Sequence, residues 1–298
     1  MKLLVTGGRG FIGSHFVELA LSKGHQVIDI DNITYAANTS LPWDNNPDYK
    51  LLQQDISAIK HLPTCDCVIN FAAESHVDNS IESPRIFFET NTKGVFNLLE
   101  IIRGKIYNRP LFFHISTDEV YGDIRELEFT ETDKLYPGNP YAASKAAAEM
   151  FVISAHKTYG IDYIITRSSN NYGERQYLEK LIPQILYSLE NNRKIPIQGD
   201  GSYIRDWIYV KDNVAAIYHI LTSTVIKNEI FNISANNHMT NLEVVKNICS
   251  WYGVEDYMSK VEFVENRLGQ DIRYSVSSDK LKHTGWSITD QKGIKKFI

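Results

Sequence analysis

Apolar and polar positions fall in short alternating blocks along this chain. Lys2 to Thr6 is an apolar run that stops at Gly7-Gly8-Arg9-Gly10, after which Phe11, Ile12, Phe16, Leu19 and Ala20 recur at helical spacing. A strand, a glycine turn and an amphipathic helix are predicted. Further strands are predicted over Gln26 to Ile30, Tyr49 to Gln54, Cys67 to Phe71, Leu111 to Ser116 and Tyr163 to Arg167. Helices are expected from Pro84 to about Arg103 and from Asn139 to about Tyr159. This β-α alternation predicts an α/β fold, a Rossmann-type doubly wound parallel sheet. Past Ser168 the texture changes: short strands at Ile195 to Gln198, Trp207 to Val210, Ile230 to Ile233 and Val261 to Val264 alternate with helical stretches from Glu179, Asp212 and Leu242. Residues 169–298 read as a smaller, substrate-facing α/β domain beside a first domain of 1–168, with some of its segments returning to the sheet.

The first turn carries the first chemistry. Gly7, Gly10, Phe11, Ile12 and Gly13 join a strand to a helix, the context in which backbone approaches a pyrophosphate and the helix N-terminus supplies free N–H groups. Asp31 ends the second strand about twenty residues on, where an acid hydrogen-bonds the adenosine ribose of NAD. Asp55 and Ile56 follow the third strand and can meet the adenine, and Ala72 leaves room for a flat cofactor at the end of the fourth. His76 lies just beyond, as readily structural as ligand-contacting.

The apolar strand from Leu111 ends in Thr117-Asp118-Glu119, a hydroxyl and two acids at the sheet edge where open α/β folds bind ligands. Tyr141 and Lys145 begin an Ala-rich helical run, and four-residue spacing puts phenol and ammonium on one face. A positive charge there favours the phenolate, so Tyr141 is expected to act as a base below its ordinary pKa. Adjacent carboxyls push their pKa values apart, giving one neutral and one ionised acid.

Composition narrows the classes. With 298 residues, 43% hydrophobic and 22% charged, the chain reads as an ordinary globular protein, and a net charge of -5 argues against a nucleic-acid surface. Three cysteines, at 65, 67 and 249, make no disulfide framework and suggest a reducing cytoplasm. No metal-ligand spacing is present, and the first apolar run is too short for a signal peptide or a membrane span.

Taken together, Thr6-Gly-Gly-Arg-Gly-Phe-Ile-Gly13, Ala72-Ala-Glu-Ser-His-Val-Asp78, Ser116-Thr-Asp-Glu-Val-Tyr-Gly122, Tyr141-x-x-x-Lys145, Ser169-Asn-Asn-Tyr-Gly173, Glu179-Lys-Leu-Ile-Pro183 and Arg205-Asp-Trp207 resemble the extended short-chain dehydrogenase/reductases, and within them the nucleoside-diphosphate-glucose 4,6-dehydratases. The resemblance runs the whole length. It implies NAD as cofactor and a nucleotide sugar, dTDP-glucose first and UDP-glucose second, as substrate. It implies that Tyr141, Lys145 and Thr117 serve oxidation at carbon 4, that Glu119 takes the carbon 5 proton, and that protonated Asp118 serves the departing 6-hydroxyl. It further implies that His76, Asn170, Glu179, Lys180, Pro196, Gln198, Arg205, Asn241 and Arg267 frame the sugar nucleotide, the two arginines on its diphosphate.

The chain departs from that family at three places. Gln198 stands where an aromatic residue usually stacks on the base, and Gln270 and Ile272 replace a usual His and Arg, which puts base selection in question. Lys295 to Ile298 looks like the first turns of a terminal helix that relatives continue. A homodimer through the helices after Pro84 and Asn139 is implied by analogy. Two other readings stay open on sequence: a nucleotide-sugar 4-epimerase on the same fold, and a non-catalytic NAD-binding protein.

Overall fold

The computed structural model describes residues 1–105, 107–223 and 225–288; the expected terminal helix at Lys295 to Ile298 lies outside them. In chain order the elements begin with β1 (Lys2–Thr6), α1 (Phe11–Ser22), β2 (Gln26–Asp31), β3 (Tyr49–Gln53) and β4 (Cys67–Asn70). Next come α2 (Val77–Glu82), α3 (Pro84–Phe87), a π turn (Phe88–Lys93), α4 (Gly94–Arg103), β5 (Leu111–Thr117), a 3-10 turn (Asp118–Tyr121), α5 (Pro140–Tyr159) and β6 (Tyr163–Ser168). The remainder is β7 (Asn170–Tyr172), α6 (Leu181–Glu190), β8 (Ile195–Gln198), β9 (Ile204–Tyr209), α7 (Val210–Thr222), β10 (Glu229–Ile233), β11 (His238–Thr240), α8 (Asn241–Trp251), a 3-10 turn (Tyr257–Lys260), β12 (Val261–Val264) and α9 (Asp279–Lys282).

Seven strands form one parallel sheet in the order β10-β6-β5-β4-β1-β2-β3. Period-two alternation sends its side chains to two cores. Leu3, Val5, Ile69 and Phe113 face α1 and α7, whose Phe16, Val17, Ile217 and Ile220 are buried against them. Leu4, Val68, Phe112 and Ile165 face the opposite way, onto Leu98 and Ile102 of α4 and Val152 of α5. Helices therefore cover both faces, as the alternation predicts. The later strands β7, β9 and β11 make a three-stranded sheet and β8 pairs with β12, while β10 returns to the large sheet beside β6.

Two expected elements differ, and two short strands were not expected. The helix from Pro84 is interrupted by the π turn, which an apolar pattern does not register because α and π hydrogen bonds differ by a single residue in span. The strand placed at Trp207 to Val210 starts earlier, at Ile204, and Val210 opens α7 instead. β7 and β11, three residues each, are too short for periodicity to reveal.

Candidate active site

Strand order reverses at β1, with β2 on one side and β4 on the other, and ligands sit outside the carboxyl ends of strands at such a point. A pocket opens there. Gly7, Gly10, Phe11, Ile12, Gly13, Asp31, Asp55, Ile56, Ala72, Tyr141 and Lys145, the whole predicted cofactor set, line this one cavity together with Thr34, Thr90 and Gln176, which sequence reasoning passed over. Gly7 has φ +72, and a Cβ there would lie 2.6 Å from the amide nitrogen of Ala72. A Cβ on Gly13 would strike the Gly7 carbonyl. The N-cap of α1, Gly10, offers no side-chain cap, so the first turn keeps N–H groups for an anion. Asp31 is fixed by the backbone N–H groups of Arg9 (2.9 Å) and Ile33 (2.8 Å). Asp55 accepts from the N–H of Ser57 at 2.8 Å, and Ile56 is buried against Gly94.

Asp29, one residue pair earlier on β2, went unnoticed in the sequence. Its carboxyl is wholly buried beneath the glycine turn, accepting from the Gly8 N–H (2.9 Å) and the Tyr49 hydroxyl (2.8 Å). Burial, with the nearby Asp31 charge, pushes it up to about 7.

Opposite, β5 delivers Thr117 and the 3-10 turn. The Thr117 hydroxyl accepts from the Glu119 N–H (3.3 Å) and donates to Asp118 Oδ1 (3.2 Å). Asp118 is buried, its Oδ2 has no partner, and burial followed by the charges of Glu119 and Asp206 holds it well above the usual carboxyl range. Both causes favour the protonated form of Asp118. Glu119 Oε2 accepts from Asn139 Nδ2 at 3.4 Å and lies 3.4 Å from the Tyr274 hydroxyl, which donates chiefly to Asp271 Oδ2 at 2.7 Å. Neither partner was predicted. Asn139 caps α5 through its Oδ1 on the Ala142 N–H at 2.9 Å, so one side chain sets the start of that helix and the position of Glu119.

Tyr141 and Lys145 lie on the first turns of α5, as their spacing requires. The expected low pKa of Tyr141 is not what the surroundings produce. Burial and the Glu119 charge push the phenol well up, and the hydrogen bond with Thr117 acts the other way. The Lys145 ammonium is directed instead to the Ile115 carbonyl, 2.6 Å away. Burial pushes Lys145 down to about 8, with the Glu149 charge opposing.

The predicted substrate residues divide. His76, Gln198 and Arg267 converge on Asp78, an unpredicted carboxylate: Gln198 Nε2 donates to it at 3.2 Å, Arg267 lies at 3.7 Å and His76 at 3.8 Å. Arg267 Nε also donates to Gln270. Glu179 and Lys180 line the cofactor cavity, where Glu179 accepts from the Tyr35 hydroxyl at 2.9 Å and Lys180 donates to the Ser75 carbonyl at 2.8 Å. Asn170, on β7, has a buried Oδ1 without a partner. Arg205 is not a free guanidinium. It is buried, donates to the carbonyls of Ile204, Asp271 and Ile272, and lies over the Tyr274 ring at 4.3 Å. Asn241 is the first residue of α8, just after the capping box formed by Thr240 and Glu243; Pro196 lies half-buried in β8.

A family model described as GDP-mannose 4,6 dehydratase matches residues 4–295, nearly the whole chain. The chain belongs to the GDP-mannose 4,6 dehydratase family. Within it, the chain is 41% identical to a dTDP-glucose 4,6-dehydratase of Haemophilus influenzae, over 100% of this chain and 97% of that one. It is also 41% identical to the low-salt glycan biosynthesis protein Agl12 of Haloferax volcanii, over 96% of this chain and 93% of that protein. In structure it matches DesIV, a dTDP-glucose 4,6-dehydratase from Streptomyces venezuelae solved with NAD bound, with a TM-score of 0.93 and 36% identity over 100% of this chain and 95% of that one.

Proposed function

We propose that this GDP-mannose 4,6 dehydratase family member is an NAD-dependent hydro-lyase that converts dTDP-glucose to dTDP-4-keto-6-deoxyglucose. The observation that carries the reading is Asp118: a buried carboxyl with an unpartnered oxygen, held above the usual carboxyl range by burial, one residue from a second carboxyl and beside the phenol that lines the dinucleotide cavity. An epimerase needs a base for the 4-hydroxyl and has no task for a protonated carboxyl beside it.

The cavity suits NAD: its glycine cradle has no room for a Cβ at Gly7 or Gly13, the first turn of α1 lacks a side-chain cap, and Asp31 stands at the end of β2. When bound, NAD supplies the acceptor for hydride from carbon 4 and its donor to carbon 6. Tyr141, whose own proton must first leave because burial and Glu119 hold the phenol up, takes the 4-hydroxyl proton on its Oη as the phenolate, with Thr117 within hydrogen-bond reach and Lys145 to hold the nicotinamide ribose. The 4-ketone acidifies carbon 5, whose proton passes to Glu119. Asp118 gives its proton to the departing 6-hydroxyl, and water leaves. Reprotonation at carbon 5 by Glu119 completes the exchange, so no net oxidation occurs. Residues 1–168 chiefly hold the cofactor and 169–298 chiefly the sugar nucleotide, with Arg267 on the diphosphate and the group around Asp78 beside it.

UDP-glucose is the second reading, favoured by one observation: Gln198 is hydrogen-bonded to Asp78, in place of an aromatic ring that would stack on a base. A homodimer is supported by exposed Ile86, Phe88, Phe96, Met150 and Phe151 along the α3 to α4 stretch and α5, with the Phe96 and Phe151 rings 5.3 Å apart. A dimeric mass by light scattering is expected. Three free, buried cysteines fit a cytoplasmic location, and among the described residues no helix is long and apolar enough to cross a membrane.

The test is to supply NAD and dTDP-glucose and weigh the product. Loss of one water, with a 4-ketone absorbing in alkali, is expected. An unchanged mass with inverted carbon 4 would establish the epimerase instead, and bound NAD without any turnover would establish the non-catalytic reading.

A further inference from the structure

Behind the reacting groups, and untouched by the scheme above, Glu149 of α5 and Arg167 of β6 form an ion pair whose side chains are 0% and 3% exposed. Arg167 donates from NH2 to Oε2 at 2.6 Å and from Nε to both carboxylate oxygens, at 3.2 and 3.1 Å. Burying two charges costs several kcal/mol per ion, and apolar side chains of the same volume often fill such a place equally well. What the pair holds is therefore informative. The Ser116 hydroxyl donates to Glu149 Oε1 at 2.5 Å. On the other side, Arg167 NH1 donates to the Tyr121 hydroxyl at 2.6 Å, the guanidinium lies over the Tyr121 ring at 4.6 Å, and the same hydroxyl donates to Asn232 Oδ1 at 2.8 Å. Ser116 and Tyr121 bracket Thr117, Asp118 and Glu119 in sequence. The two ends of the reacting turn are thus tied to the two members of one buried pair, and Glu149 sits one helical turn beyond Lys145 on the helix that also carries Tyr141.

We propose that Glu149 and Arg167 are positioning residues for the dehydration, a clamp that fixes the Ser116 and Tyr121 ends of the acid-bearing turn relative to the helix of Tyr141 and Lys145. The role rests on the dehydratase reading. Loosening the clamp moves Asp118 and Glu119 while Tyr141 and Lys145 stay on their helix. Elimination then slows more than oxidation does.

The test compares wild type, Tyr121→Phe, Arg167→Met and the double variant, each loaded with NAD, mixed with dTDP-glucose and followed by reduced-nicotinamide absorbance and by product formed. Oxidation is expected within about threefold of wild type, with elimination slower by about tenfold in Tyr121→Phe and about a hundredfold in Arg167→Met. Reduced nicotinamide then accumulates to a level the wild type never shows. The double variant falls close to Arg167→Met, since the two changes share the Arg167–Tyr121 contact, and Arg167→Lys, which keeps the charge without the fork, falls between. Loss of both steps in proportion to the folded, NAD-loaded fraction, with no accumulation, would overturn the proposal. If Arg167→Met does not fold, Tyr121→Phe and Ser116→Ala, each lacking one hydroxyl, decide by the same accumulation. Turnover by wild type with both of these unaltered overturns the clamp alone, whereas NAD-loaded wild type that leaves dTDP-glucose unchanged overturns the dehydratase reading and the clamp with it.

Discussion

Asn139 reaches Glu119 with its amide nitrogen while its amide oxygen caps the helix that begins one residue later. The two duties separate in Asn139→Asp. Aspartate caps as well as asparagine, so stability should stay within about 0.5 kcal/mol, but the donor is lost and a second anion faces Glu119. A fall in kcat of about tenfold or more is expected, read from steady-state kinetics beside a thermal melt.

Asp118→Asn keeps the shape of the proton donor and removes the proton. Product formation should fall by about a hundredfold to ten-thousandfold. The initial oxidation does not need that proton, so reduced nicotinamide should appear in a single turnover and persist. Product release at the wild-type rate would remove Asp118 from the reaction.

Glu149→Gln tests the electrostatics of Lys145 as well as the clamp, and the two are read separately: the pH profile reports the lysine, accumulation of reduced nicotinamide the clamp. Lys145 is faced by Glu149 on its own helix and by His114 and the Ile115 carbonyl on β5, and Glu149 alone among the two side chains favours the ammonium. With the carboxylate neutralised, the lysine loses its proton at a lower pH. The alkaline limb of the kcat/KM profile, expected near the Lys145 value of about 8, should move to lower pH.

Asp29 predicts a pH dependence of stability. Its folded value of about 7 stands above the ordinary 3.8, so between those values the folded form holds a proton that the unfolded chain has released. Stability from this group is therefore complete at low pH and falls as pH rises through that window, by up to about 4 kcal/mol at about 1.4 kcal/mol per unit. Asp29→Asn, which can still accept from Gly8, should flatten the slope and leave the variant more stable than wild type above pH 7. Denaturant melts at several pH values would show it, and parallel slopes would contradict it.

Gln198 bears on base choice. With its amide on Asp78 and no ring to read the base, the ratio of kcat/KM between dTDP-glucose and UDP-glucose should stay below about a thousandfold, roughly 4 kcal/mol. A larger preference would mean that the base is read elsewhere.

The parts of this molecule that sequence reveals are those whose physics is local. The glycine turn, the acid at the end of β2 and the four-residue step from Tyr141 to Lys145 each follow from backbone geometry over a few residues, and all end in one cavity. What stayed hidden depends on burial and on distant partners. Asp29 and Asp31 look alike on the page, yet two residues of strand put one under the glycine turn and the other at its rim. Tyr141 was expected at low pKa from a neighbour on its own helix, but the groups that govern it, Glu119 and Thr117, arrive from β5. Arg205 looked like a phosphate ligand because two of its three carbonyl partners lie more than sixty residues ahead. Asp78 ended the motif that begins at Ala72 without being given a role, and Tyr274 gave no signal of its own.

The π turn between α3 and α4 aims two side chains that straight winding would misdirect. Asn91 clasps the backbone of Glu74 at both N–H (2.8 Å) and C=O (3.0 Å) and also reaches the Ser144 hydroxyl, while Thr92 donates to the Ser144 carbonyl. Removing one residue from Phe88–Lys93 would regularise the helix and rotate one half against the other by about 100°. Either Asn91 would let go of the segment leading to His76, or Leu98 and Ile102 would swing out of the interior. The surplus residue thus fixes a rotational offset, letting a single rod answer to the segment before His76 at one end and to the hydrophobic interior at the other.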